Sequence, residues 1–194
     1  MSEKLVWRRD LGAADRRIEM YQVDEKDVVI PIEDFPRPSV GAPCPLVIAD
    51  EHRLLLAYYV QTREPGWDGT TVREVNRVTS SEPIALVCFN LGTAHMFGPP
   101  NDEAFAGHPL AKRGLRPYRV HRVESSFWIR RLERMNSVHS QHSPEPYWGL
   151  RHLIFAFHDS TFECVCREFD VRTRHGSIMD MVPEMVELLH SRSQ

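Results

Sequence analysis

The 194-residue sequence predicts an α+β fold that is mainly antiparallel: a sheet or sandwich of about seven to nine short strands, with two packed helices near residues 125–136 and 181–190. Three observations carry that prediction. Short apolar or alternating runs separated by polar turns dominate the chain. Only two segments place apolar residues at helical spacing. The early strands also follow one another too closely to leave room for the crossover of about a dozen residues that a parallel pair needs. The chain reads as one β-rich domain with an irregular N-terminal segment reaching to about residue 45.

Ala13–Val23 fits either a helix or a strand paired with Leu5–Arg8. Val28–Ile32 reads as a short strand, and Pro31 places it at a sheet edge because proline cannot donate to a ladder. Pro36, Pro38, Pro43 and Pro45 make Phe35–Pro45 a rigid connector. Leu46–Ile48 and Leu54–Val60 flank the polar turn Asp50-Glu51-His52-Arg53, the clearest hairpin in the sequence. Glu64–Gly69 is a loop, and Val72–Val78 alternates weakly, as a strand would. Ile84–Leu91 is apolar almost throughout, as expected of a strand buried on both faces. Gly98–Leu110 is a long polar loop with room for one helical turn.

Tyr118–Val123 reads as a strand, after which Ser125 or Ser126 caps a helix running to about Met135. Trp128, Leu132 and Met135 form its buried stripe, and Arg130, Glu133 and Arg134 face away. His152–Phe157 and Thr161–Arg167 form a second hairpin around Asp159-Ser160. In the last helix Met181, Met185, Leu188 and Leu189 share a face, with Asp180 as expected N-cap and Pro183 in the first turn.

Composition narrows the function classes. Apolar residues at 42% and charged residues at 26% describe a globular chain rather than a disordered one. No apolar run approaches the roughly 20 residues that span a bilayer, and Met-Ser-Glu-Lys-Leu does not open a signal peptide, so no membrane partner is expected. Cys44, Cys88, Cys164 and Cys166 have no CxxC spacing, which points to reduced, packed thiols and a cytoplasmic location. The net charge of −3 gives no global attraction to nucleic acid. The charge is uneven, however. Residues 1–105 hold 11 basic against 17 acidic side chains, whereas residues 112–134 hold eight basic against two acidic.

No P-loop, GxGxxG, HExxH, GxSxG or EF-hand pattern occurs. His158-Asp159-Ser160 contains hydrolase residue types, but consecutive residues at a hairpin tip cannot line up as nucleophile, base and orienter, so turn chemistry explains them. Histidine is the stronger lead. His139 and His142, spaced i, i+3, together with His158 are the candidate metal ligands for zinc, iron or manganese. His108, His121 or His152, with Asp159 or Glu163, would complete such a set. Against it, Asn136, Ser137 and Ser140 argue that the helix ends before His139. Asn101, Asp102 and His108 in the long loop, with Arg119 and Arg122 from the basic stretch, are the candidate ligand-binding residues. Trp67 and Trp148 are candidate stacking platforms or partner anchors. The expected function is a binding or interaction module whose partner is a small anionic ligand or another protein. The alternative is a histidine-dependent metal enzyme acting on a small anionic substrate.

Overall fold

The computed structural model describes residues 22–62 and 74–191. Among the described residues, nine antiparallel strands form two sheets: β1 (Val28–Pro31), β2 (Leu46–Ala49), β3 (Arg53–Tyr59), β4 (Glu82–Asn90), β5 (Ala94–Gly98), β6 (Val120–Glu124), β7 (Arg151–Ala156), β8 (Thr161–Cys166) and β9 (Glu168–Gly176). The five-stranded sheet has the order β1-β6-β7-β8-β5 and the four-stranded sheet β2-β3-β4-β9. Helices α1 (Phe127–Asn136), α2 (Glu145–Trp148) and α3 (Val182–His190) follow β6, precede β7 and follow β9, respectively. Among the described residues, no helix is long and apolar enough to cross a membrane.

Period-two alternation assigns each face. Leu54, Leu56 and Tyr58 of β3 and Val87 and Phe89 of β4 meet Leu153, Phe155, Phe162 and Cys164 of the other sheet. Phe155 is the hub, with its ring 5.3 Å from Phe35, 5.9 Å from Phe89 and 5.7 Å from Phe162. The intervening residues Leu55, Tyr59, Ile84 and Leu86 face the C-terminal segment, where Ile178 and Met181 just before α3 and Met185 within it cover them. On the outer face of the five-stranded sheet, Val123, Ile154 and Ala156 lie under Phe105, Leu110 and Leu115 of the loop between β5 and β6. The central strands are therefore buried on both faces, which is why β4 reads as a near-continuous apolar run, whereas β7 and β8 bury the polar His152, Thr161 and Glu163 among apolar neighbours.

Both predicted hairpins form, and Pro31 lies in an edge strand. Several expectations differ. Residues 74–78 are not a strand, because Asn76 Oδ1 accepts the N–H groups of Val78 and Thr79 and folds the segment into a turn. Met135 is 63% exposed, so the stripe of α1 buries Trp128 but stops short of its last turn. Asp180 does not cap α3: a 3-10 turn over Met179–Met181 precedes the helix, and Asp180 instead accepts the Ser177 N–H. The alternatives for Leu5–Arg8 and most of Ala13–Val23, the residues Val72 and Arg73, and Trp67 lie outside the described residues.

Candidate functional site

Four polar side chains from separate segments meet on the outer face of the five-stranded sheet. Glu163 of β8 and His152 of β7 point outward in the alternation that sends Cys164 and Leu153 inward. Above them, the loop between β5 and β6 contributes His108, and the turn into α1 contributes Ser126. That turn is sharp. Ser125 takes a left-handed φ of 51°, which lets the chain pass from β6 into α1 within two residues. Ser126 then caps the helix, accepting the Ile129 N–H at 3.4 Å.

Glu163 is fully buried and bridges both imidazoles, with Oε1 2.8 Å from His108 Nε2 and Oε2 2.9 Å from His152 Nε2. Burial alone would push its carboxyl up. The hydrogen bonds from His108 and His152 outweigh that and hold it down at about 2. An ionised carboxylate only accepts, so both Nε2 atoms donate to it. His108 Nδ1 is then an acceptor, and it receives the Leu110 N–H at 3.1 Å. When the His152 ring carries its single proton on Nε2, Nδ1 is likewise an acceptor for the Ser126 hydroxyl, 2.9 Å away. The Trp128 ring meets His152 edge-on at 5.1 Å and packs the imidazole in place.

Ser126 and His152 also line a cavity of about 960 Å³. Ile30, Ile32, Leu153 and Phe169 give it an apolar floor, and Tyr147 and Trp148 stand at its side. Lys26, Arg122, Arg130 and Arg151 supply four cations against Glu33 and Glu124. Arg122 pairs with Glu124 at 2.8 Å, Arg130 with Asp24 at 2.5 Å, and Arg151 lies 5.7 Å over the Phe169 ring.

The predicted residues divide between places. His108 joins the buried network and Arg122 the cavity. Asp102 and His158 meet elsewhere: Asp102 Oδ2 is 2.9 Å from His158 Nδ1 and accepts the Tyr118 hydroxyl. The Tyr118 hydrogen bond is the main influence holding the Asp102 carboxyl low, and the same bond pushes Tyr118 up to about 12. Asn101 uses its side chain locally, accepting the Ala104 N–H, and Arg119 pairs with Glu33 at 3.1 Å. His139 is exposed beyond the end of α1, and His142 is 2.7 Å from Glu133. His121 is buried apart from the network, and that burial, helped by Arg119, pushes it down to about 4. Among the described residues, no group of three or more His, Cys, Asp or Glu side chains is placed to hold a metal ion. His139 and His142 share one turn, in which the His142 N–H donates to the His139 carbonyl at 2.9 Å, whereas His158 sits with Asp102 and Tyr118. The chain matches no protein family, no curated protein and no solved structure with which it was compared.

Proposed function

We propose that the protein binds a small amphipathic anion, with an apolar or aromatic body, in the cavity beside Ser126 and His152. The observation that carries this reading is the pairing of an apolar floor with a cationic rim in a single concavity of about 960 Å³, near the upper end of ordinary ligand sites. Ile30, Leu153 and Phe169 would take the apolar body, while Arg122 and Arg151 would take the charge. The Arg122–Glu124 pair is half-exposed, so it costs little to exchange Glu124 for a ligand carboxylate or sulfonate. Trp148, 75% exposed, offers a ring face to an aromatic ligand.

The test uses 8-anilinonaphthalene-1-sulfonate, an aromatic anion, titrated into the folded protein and followed by its fluorescence. The expected result is one saturable site, weakened roughly tenfold for each of Arg122→Ala and Arg151→Ala. Near-ultraviolet circular dichroism confirms that the variants keep their packing. Absence of saturable binding, or binding unchanged in the double variant, would overturn the proposal.

A further inference from the structure

We propose that Ser126, His152 and Glu163 act as nucleophile, base and orienting carboxylate, so that the cavity hydrolyses carboxylic esters carrying an anionic group. The inference rests on the reading that this cavity admits a small anionic molecule. Its geometry stands on its own.

The three groups come from three separate segments and are hydrogen-bonded in sequence through the imidazole: Ser126 Oγ is 2.9 Å from His152 Nδ1, and His152 Nε2 is 2.9 Å from Glu163 Oε2. Nucleophile and base must stand within such reach, and a third group must orient the base. The two reacting members line the cavity at 3% exposure for Ser126 and 1% for His152, and Glu163 beyond them has none. His108, on the second carboxylate oxygen at 2.8 Å, keeps Glu163 from rotating away. Capping alone asks less of Ser126. The cap bond from the Ile129 N–H is long, at 3.4 Å, whereas the hydroxyl oxygen lies only 2.9 Å from His152 Nδ1. Ser126 also sits at the first turn of α1, where the helix dipole favours the negative charge that develops on a carbonyl oxygen under attack.

The steps balance. Ser126 Oγ bonds to the ester carbonyl carbon as its proton passes to His152 Nδ1. The carbon–oxygen bond to the alcohol then breaks, and that proton leaves with the alcohol. Water, the co-reactant, next gives a proton to His152 Nδ1 while its oxygen attacks the acyl carbon. The carboxylic acid departs as Ser126 regains its proton. The sum is ester plus water to acid plus alcohol, with no change of oxidation state. Glu163 and His108 are positioning residues, since they act through the His152 ring.

Two probes test the proposal on the intact chain. Diisopropyl fluorophosphate, small and uncharged, reports the nucleophile independently of the cationic rim, and mono-4-nitrophenyl glutarate is an anionic ester. The expected result is a single phosphoryl adduct mapped to Ser126 and ester hydrolysis that falls to the buffer rate in Ser126→Ala. Glu163→Gln is expected to lower kcat with KM unchanged, a split that loosened packing would not give. If Ser126→Ala does not fold, Ser126→Asn keeps a capping side chain and serves instead. A folded wild-type protein that takes no label on Ser126, or a folded Ser126 variant that hydrolyses the ester as fast as wild type, overturns the proposal. Anilinonaphthalene sulfonate separates the two readings. Binding without labelling removes the hydrolase and keeps the anion site, whereas labelling without binding keeps the nucleophile and overturns the anionic substrate class.

Discussion

Replacing Glu163 by alanine and by glutamine separates two roles of one carboxylate. Alanine removes the acceptor from two buried imidazole N–H groups, His108 Nε2 and His152 Nε2. Each buried donor deprived of its partner costs about 1–3 kcal/mol, so the loss is on the order of 3–5 kcal/mol. Glutamine offers one oxygen and one amide, so one of the two rings must accept at Nε2 and carry its proton on Nδ1. His108 cannot change in this way, because its Nδ1 already receives the Leu110 N–H. His152 can, because its Nδ1 faces the Ser126 hydroxyl, which either donates or accepts. The glutamine variant therefore keeps its hydrogen bonds but reverses the one between Ser126 and His152. Its cost is about 2 kcal/mol, from replacing two charge-assisted bonds by neutral ones. Urea unfolding followed by tryptophan fluorescence measures both costs. Long-range proton–nitrogen correlation spectra locate the His152 proton. Equal destabilisation by the two substitutions, or a His152 proton still on Nε2 in Glu163→Gln, would refute this tautomer reasoning.

Further outcomes follow from the same structure. Glu163 titrates at about 2 in the folded chain against 4.5 for an ordinary glutamate, so its stabilising contribution is full above about 4.5 and is lost as pH falls toward 2. That contribution is on the order of 3 kcal/mol, and thermal unfolding between pH 5 and 2.5 should show a shallower decline in Glu163→Gln than in wild type. Asp102→Asn should return Tyr118 from about 12 toward 10, read by carbon NMR titration of the tyrosine rings; an unmoved Tyr118 would mean that the Asp102 bond is not what raises it. Phe155→Ala empties the centre of the interface between the sheets and should cost about 3–5 kcal/mol in urea, against well under 1 kcal/mol for the exposed Val138→Ala.

The parts of the fold that are legible in the sequence are those with local causes. Asp50–Arg53 and Asp159-Ser160 announce their hairpins through turn chemistry, and Pro31 marks an edge through its missing donor. Strand β9 is less readable, because Glu168, Asp170, Arg172 and Arg174 share one face while the other passes from half-buried Phe169 and Val171 to exposed Thr173 and His175, and no turn residue separates it clearly from β8. Strand β5 is short, with Met96 and His95 giving no dominant face. The candidate site behaves similarly. Ser126 is visible as a cap, and His108, His152 and Glu163 are visible as residues capable of meeting. Which histidines meet depends on strand register, since a shift of one residue would turn His152 inward and Leu153 outward. Spacing drew attention to His139 and His142, although α1 ends at Asn136 and leaves His142 beside Glu133. The cavity has no local signature, because Ile30, Arg122 and Leu153 become neighbours only through the pairing of β1, β6 and β7.

The pairing of β4 with β9 has a consequence for biosynthesis. Strand β4 acquires β3 immediately before it in the chain, but its other ladder is completed only by Glu168–Gly176, nearly eighty residues later. At about 5–20 residues per second, a ribosome needs roughly 4–16 s to deliver that partner. During this interval Ile84–Phe89, apolar on both faces, presents an open row of backbone donors and acceptors to any neighbouring chain. Nascent chains stalled before residue 168 should therefore bind chaperones and coaggregate, whereas chains released after Gly176 should not. The charged outer residues of β9 act as the gatekeepers of a completed sheet, shielding from intermolecular pairing the strand that the unfinished chain leaves exposed.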